Sequence, residues 1–95
     1  MNRIERILAA LQETLHPLNV ALEDESLLHA GHAGATTGRG HFQLRIVSNH
    51  FEGQTLIARH RLVYAALGDL MQTEIHALSI RALTPGEAAR HSQQA

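Results

Sequence analysis

The feature that most constrains this fold is a repeated change in the spacing of apolar residues along the chain. Near the N-terminus they recur at helical spacing, at Ile4, Ile7, Leu8, Leu11 and Leu15. Asn2 can cap this segment and Glu5 can reach back to the cap, so the sequence predicts a helix over residues 3–15. Pro17 ends the helix and is expected to restrict His16 to extended geometry.

Three later segments alternate apolar and polar residues, as strands with one face on a core do. The apolar positions are Leu18, Val20 and Leu22 in the first segment, Phe42, Leu44 and Ile46 in the second, and Leu78 and Ile80, together with His76, on one face of the third. The third segment runs from Glu74 to Leu83. The sequence therefore predicts three strands.

A second helix is predicted between the second and third strands, after turn residues at 49–54. Its stripe is Leu56, His60, Val63, Leu67 and Leu70, and its opposite face carries Arg59, Arg61 and Asp69. A connection through a helix suits parallel pairing of the last two strands, whereas the first two could pair antiparallel. We expect an α+β fold in which helices cover one face of a mixed three-stranded sheet.

Two segments show neither the helical spacing nor the strand alternation of apolar residues. Residues 25–40 read ESLLHAGHAGATTGRG, and connections of this length without secondary structure are usually functional or disordered, so we look for a site there. The chain beyond Pro85 has little apolar material to bury. Residues 86–95 are therefore expected to fray as a flexible tail.

Composition narrows the class of protein. The chain has 95 residues and no cysteine, so we expect one domain that is stabilised by its core alone. It shows neither a signal-peptide pattern nor an apolar run of about 18 residues, so the expected location is cytoplasmic, without membrane attachment. The formal net charge of -1 argues against a dedicated nucleic-acid binder, which is usually basic.

Few residues suggest chemistry apart from histidine. The chain has no Cys nucleophile, GxxxxGK[ST] loop or GxSxG elbow, so no enzymatic activity is predicted. Eight histidines are unusual in so short a chain, because imidazole is the commonest metal ligand. His29, His32 and His76 could hold zinc or copper with one open position. However, HxxH in a loop is a weak signal, and a single histidine is more often solvated or packed.

Several spaced motifs point to one family. In the second half of the chain they are Phe51, Gly53, Arg59-His60-Arg61, Val63-Tyr64 and Ile75-His76-Ala77-Leu78. Upstream they are Asp24-Glu25-Ser26, before the glycine-bearing loop, and His41-Phe42, at the start of the second strand. In this order and spacing they closely resemble the BolA family. The chain departs from the family pattern at Leu27, where His is frequent, and at Gly38-Arg39-Gly40, which replaces Ser-Glu-Thr.

The resemblance implies a fold of the order α-β-β-α-α-β, a two-layer sandwich similar to a class II KH domain. It lacks the GxxG loop that KH domains use on nucleic-acid backbones. The BolA-like domain would span residues 1–85, and the flexible tail would be residues 86–95.

The resemblance also implies a partner and a cofactor. Proteins of this kind form heterodimers with monothiol glutaredoxins and co-ligate a bridging [2Fe–2S] cluster together with glutathione. Carried over to this chain, the ligands are His76 and His32, with His29 as the alternative loop ligand. A chain without cysteine cannot hold an all-thiolate cluster alone, although iron accepts two imidazoles among four ligands. No cofactor is expected in the isolated protein, and the sequence leaves open whether it forms a weak homodimer.

A second function implied by the resemblance is DNA binding by a transcriptional regulator of the stress response. The segment proposed to touch DNA is helix-turn-helix-like and includes Arg59, His60 and Arg61. Exposed arginines on an amphipathic helix are more often simply solvated, and His60 shares the apolar stripe. Binding through such a patch would be weak and salt-sensitive.

Overall fold

The computed structural model describes residues 1–26 and 39–94. In chain order its elements are α1 (Arg3–Leu15), β1 (Asn19–Asp24), β2 (Gly40–Val47), a short 3-10 helix (Asn49–Phe51), α2 (Leu56–Leu67), α3 (Leu70–Thr73), β3 (Ile75–Leu83) and α4 (Pro85–Gln94). This confirms the order α-β-β-α-α-β and adds a helix after β3. Within the described ranges, no helix is both long and apolar enough to cross a membrane.

The three strands form one sheet in the order β1-β2-β3. β1 pairs antiparallel with β2, and β2 pairs parallel with β3. The chain passes from β2 to β3 through α2 and α3, which is the kind of crossover that a parallel pair requires. The face away from the helices is open to solvent at Ala21, Glu23, Gln43, Ser79 and Arg81. The predicted mixed sheet with helices on one face is therefore confirmed.

The core lies between α1, α2 and the sheet. Its most buried side chains are Ile7, Leu11 and Leu15 from α1, Phe42, Leu44 and Ile46 from β2, Phe51, Val63 and Leu67 from the 3-10 helix and α2, and Ile75 from β3. In α1 the cap forms as predicted, since the Glu5 N–H donates to Asn2 Oδ1 at 2.8 Å. Helical spacing in α1 and alternation in β2 thus identified their core faces correctly.

The turn between α1 and β1 corrects two local predictions. His16 is not extended, because its φ of 43° and ψ of 56° are left-handed. Its N–H donates to the Gln12 carbonyl at 3.3 Å, which closes the end of the helix in the manner of a glycine or asparagine cap. This cap outweighs the restriction that Pro17 imposes. Leu18, which was predicted to face the core, lies just before β1 and is 62% exposed.

The buried face of α2 differs from the predicted stripe in its first turns. Val63 and Leu67 are buried as predicted, but Leu56 is 67% exposed and Arg59 is only 8% exposed. The helix begins at a cap in which the Ala58 N–H donates to Thr55 Oγ1 at 3.1 Å. A charged residue occupies this face because the Arg59 side chain has polar hydrogen-bond partners inside the protein, which are described below.

The C-terminal segment corrects a further prediction, because the chain forms α4 where a frayed tail was expected from residue 86. The Glu87 N–H donates to Thr84 Oγ1 at 3.2 Å, and the Thr84 N–H donates to Glu87 Oε1 at 2.9 Å. These two bonds form a capping box, and Pro85 occupies the first helical position, where its missing N–H costs nothing. Thr84, Pro85 and Glu87 are the sequence signal that could have predicted this helix.

Candidate functional site

His76 lies where β3 begins, next to the start of β2. Ile75 pairs with Gly40 and Ala77 pairs with His41, so His76 is an extra residue between two paired positions of β3. Such a bulge breaks the alternation of side chains. His76 and Ala77 are consecutive and both exposed. The predicted alternation therefore fails at the start of β3, and the bulge leaves the His76 imidazole accessible.

His41, the second residue of β2, lies next to His76. The centroids of the two rings are 5.1 Å apart, and the ring planes are inclined by 41°. We did not select His41 as a site residue from the sequence, although the predicted parallel pairing places the first residues of the two strands at the same end of the sheet. The described part of the site therefore places two imidazoles side by side, that of His76 exposed and that of His41 half-buried with its Nε2 buried.

The segment that leads into the long loop supports His41. The Glu25 N–H donates to the His41 carbonyl at 2.7 Å, and the His41 N–H donates to Ser26 Oγ at 3.3 Å. The Ser26 N–H donates to Asp24 Oδ1 at 2.9 Å, and the Ser26 side chain, through its hydrogen bond, lowers the pKa of the Asp24 carboxyl. A Cβ at Gly40 would lie 2.8 Å from Ser26 Oγ. Asp24, Glu25 and Ser26 therefore form a hydrogen-bonded turn that supports the backbone of His41.

Arg39 contacts His76 from the end of the long loop. Its Nη2 lies 3.4 Å from His76 Nδ1, and its Nη1 donates to the Gln72 carbonyl at 3.1 Å. Because a guanidinium can only donate, Nδ1 is the acceptor in this arrangement. Ligation of a metal by that nitrogen therefore requires Arg39 to move away.

Glu74 fastens this end of the sheet to α1. Its carboxylate binds Arg3 Nε at 3.0 Å and also binds Arg6, while its carbonyl accepts from the Gly40 N–H at 2.9 Å. Hydrogen bonds from Arg3 and then from Arg6 hold the pKa of the Glu74 carboxyl below its usual range. The first helix thereby holds the two strand ends that carry the imidazoles.

The predicted loop ligand His32 and its alternative His29 lie outside the described residues. Across residues 1–26 and 39–94, no three His, Cys, Asp or Glu side chains are grouped so that they could hold a metal. The pairing of His76 with a loop histidine therefore stays a prediction. The same holds for the alternative zinc or copper site of His29, His32 and His76.

Arg59 is engaged inside the protein, so the prediction that it lies on an exposed face is wrong. Its Nε donates to the Gln54 carbonyl at 3.0 Å, and its Nη1 donates to the Ala82 carbonyl at 3.1 Å. Nη1 and Nη2 also bind the two carboxylate oxygens of Glu87, at 2.6 and 3.2 Å. A DNA contact by Arg59 would have to break this network.

The other two residues of the predicted DNA-binding segment differ from Arg59. His60 is half-buried, and Arg61 is exposed as predicted. The segment therefore presents one exposed arginine rather than a pair. A basic patch needs several cations for strong phosphate binding, so this geometry weakens the DNA-binding interpretation.

The comparisons with known proteins bear on the family and the fold of this chain. The family model described as "BolA-like protein" matches residues 11–87. The chain belongs to the BolA-like family. It is 47% identical over 90 residues to "Protein BOLA1, chloroplastic" of Arabidopsis thaliana and 42% identical over 83 residues to "BolA-like protein 1" of Homo sapiens. These matches cover 92% and 87% of this chain but 56% and 58% of the relatives. The BolA-like chain thus spans a little more than half the length of these relatives.

Solved BolA structures share the fold. The BolA domain of SufE1 from Arabidopsis thaliana superposes with a TM-score of 0.80 at 46% identity, covering 92% of this chain and 96% of that one. The solution structure of BolA1 from Mus musculus gives 0.79 at 36% identity, covering 98% and 73%. Two Arabidopsis relatives have "chloroplastic" or "chloroplastic/mitochondrial" in their names. Membership of the family therefore does not by itself fix a cytoplasmic location.

Proposed function

We propose that this BolA-like protein is a non-enzymatic adaptor that pairs with a monothiol glutaredoxin. In the heterodimer it supplies imidazole ligands to a bridging [2Fe–2S] cluster, in iron–sulfur trafficking or iron-linked regulation. The observation that carries the proposal is the exposed His76 imidazole beside His41, at an end of the sheet in a chain without cysteine. A cytoplasmic location belongs to the same proposal.

The set of donor atoms supports this assignment. A [2Fe–2S] cluster takes four protein or thiol ligands, and two of them can be imidazoles. This chain offers imidazoles and no thiolate, so the remaining two ligands must come from elsewhere. A glutaredoxin cysteine and a glutathione thiol would supply them, which makes the partner a chemical requirement.

The position of His76 supports a shared site rather than an internal one. Its side chain is exposed, so a partner can reach it without unfolding β3. The strand end on which it lies is fixed to α1 by Glu74, Arg3 and Arg6. A ligand held on a rigid element keeps its geometry when the partner arrives.

Anaerobic reconstitution tests the proposal directly. The protein is mixed with a monothiol glutaredoxin, glutathione, iron and sulfide, and visible absorption and circular dichroism are compared with those of the glutaredoxin alone. We expect a new spectrum at a one-to-one ratio of the two proteins. His76→Ala should abolish it, because one iron then loses its imidazole. An unchanged spectrum for His76→Ala would refute the ligand assignment.

Three further variants sharpen this test. His60→Ala removes a half-buried histidine of α2 and should leave the spectrum unchanged, which makes it the control. His32→Ala and His29→Ala compare the two predicted loop ligands, and we expect the larger loss for His32→Ala. DNA binding is not part of the proposal, because the Arg59 guanidinium is already bound within the protein.

A further inference from the structure

A second pair of histidines lies at the opposite end of the sheet. His16 follows α1 and His50 is in the 3-10 helix after β2, and their ring centroids are 6.0 Å apart with planes inclined by 38°. Both residues are exposed. The length of β2, roughly 20–25 Å for eight residues, separates this pair from His41 and His76.

One buried serine holds the two segments of this pair together. Ser48 is fully buried, and its hydroxyl donates to the Leu15 carbonyl at 2.7 Å while it accepts from the His50 N–H at 3.1 Å. Its own N–H donates to the Leu83 carbonyl at 3.0 Å. The residue before His16 and the backbone of His50 are therefore tied to the same side chain, which is itself fixed to β3. The backbone segments that carry the two imidazoles are therefore positioned by the fold before any ligand binds.

The backbone of His16 is an unusual feature of the same site. It is the one non-glycine residue with positive φ among those that the structure describes. This conformation is unfavourable for a residue with a Cβ, and glycine or asparagine usually takes it at a helix end. The conformation directs the chain so that the His16 ring lies against that of His50.

The spacing of the rings fits a shared metal ion. Two imidazole nitrogens that bind one metal at about 2.0–2.1 Å leave the ring centroids roughly 4.5–6.4 Å apart, depending on the angle at the metal. The observed 6.0 Å lies toward the wide-angle end of this interval, so a tetrahedral angle at the metal requires the two exposed rings to approach by about 1 Å. Because both rings are exposed, water can occupy the remaining coordination positions.

We propose that His16 and His50 form a binding site for a divalent transition-metal ion, separate from the end of the sheet that carries His76. Imidazole suits copper, nickel and zinc, and their affinity for a given nitrogen site is greatest for Cu²⁺. With two protein ligands the ion stays accessible to solvent. Such a site would bind metal in the isolated protein, without glutaredoxin or glutathione.

The test uses a background in which the other candidate ligands are removed by His29→Ala, His32→Ala and His76→Ala. Cu²⁺ is titrated into this protein by calorimetry, and the ring signals of the remaining histidines are followed by NMR. We expect one equivalent to bind, with paramagnetic broadening of the His16 and His50 rings together at substoichiometric metal. Broadening that reaches neither ring, or only one of them, would overturn the proposal.

Matched variants separate loss of a ligand from loss of structure. His16→Asn keeps a residue that tolerates left-handed backbone, and His50→Gln keeps a polar side chain. Each should weaken Cu²⁺ binding more than about tenfold, since loss of even an outer partner of a ligand costs 10–100-fold. His60→Gln, on α2, should leave the affinity unchanged. Equal affinities in all three variants would contradict the site.

His16→Gly provides a readout of the backbone. It removes the imidazole and the left-handed strain together, so the melting temperature of the metal-free protein should rise while Cu²⁺ no longer raises it further. In the parent background, Cu²⁺ should raise the melting temperature, because the two imidazoles are brought together only in the folded state. A metal-induced shift that persists in His16→Gly would show that the ion binds elsewhere.

Discussion

Two arginine–glutamate clusters fasten helices to the two ends of β3, and they differ in how far they are removed from water. At the start of the strand, Glu74 binds Arg3 and Arg6, whose side chains are 31% and 42% exposed. After its end, Glu87 binds Arg59, whose side chain is 9% exposed. The difference lies in the arginines, because the Glu74 side chain is 18% exposed and the Glu87 side chain is 30% exposed. Ion pairs of the same chemistry therefore contribute differently to this fold.

The surroundings of each cluster explain the difference. Arg59 also donates to the carbonyls of Gln54 and Ala82, and Glu87 also accepts from the Thr84 N–H. The hydrogen bond from Arg59, and after it the bond from the Thr84 N–H, lower the pKa of Glu87 to about 2. Exposed ion pairs are screened by water and salt and contribute little. Of the two clusters, the one after β3 should therefore contribute more to the free energy of unfolding.

The largest expected effect is that of Arg59→Ala. Its removal leaves Glu87 without its charged partner and two carbonyls without a donor, so the free energy of unfolding should fall by about 2–4 kcal/mol. Urea unfolding measures this loss. Arg61→Ala, two residues on and exposed, is the control and should change stability by no more than about 0.5 kcal/mol. Equal effects of the two substitutions would remove the distinction between the clusters.

Glu87→Gln tests the charge while it retains the oxygen of the capping box. We expect a loss of about 1–2 kcal/mol near neutral pH, as for a charge-assisted hydrogen bond. The folded-state pKa of Glu87, about 2, lies below the unfolded value of 4.5, so this stabilisation is present above pH 4.5 and is lost as the pH falls toward 2. Unfolding measured at several pH values should show the wild type converging on the variant. A constant difference between them would show that the charge is not responsible.

Thr84→Ala removes the other half of the capping box. The Glu87 N–H then loses its acceptor, and the loss of an N-cap costs about 1 kcal/mol. The helical circular dichroism signal should fall together with the urea midpoint, since α4 depends on this cap. Thr84→Ser, which retains the hydroxyl, should recover most of the loss. Failure of serine to do so would point to the methyl group instead.

Glu74→Gln should have the smallest effect of the four. Its arginine partners keep access to water, so we expect a smaller loss of stability than in Glu87→Gln, and one that diminishes further as salt is added. Urea midpoints at low and high salt measure the loss of stability and its dependence on salt. A salt-independent loss as large as that of Glu87→Gln would mean that the two clusters are equivalent after all.

Much of the fold followed from local pattern. Helical spacing from Ile4 to Leu15 placed α1 with its observed bounds, and alternation placed β2 on the core. The order of elements favoured the parallel pairing that was found. These predictions succeeded because side-chain periodicity reports which face of an element is buried, whatever it packs against. The spaced motifs likewise identified the BolA-like family.

The candidate site was predicted only in part. His76 was named from the sequence and is exposed, but its neighbour His41 was not, and the loop ligands lie outside the described residues. Arg59 was placed on the exposed face from the sequence because it is charged. Its position four residues before the buried Val63 is the signal that it lies on the buried face. Thr84 and Glu87 have the spacing of a capping box, and we did not use this signal to predict α4 from the sequence.

The sequence by itself determined the helices and strands with strong periodicity, the family and the absence of thiolate ligands. Only the tertiary structure decided where the polar side chains go. Arg59 meets Glu87 across 28 residues of chain, and Arg39 meets His76 across 37. The physical reason is that burial of a charge depends on partners that folding brings from elsewhere. Local spacing describes an element, whereas these partners belong to the assembled fold.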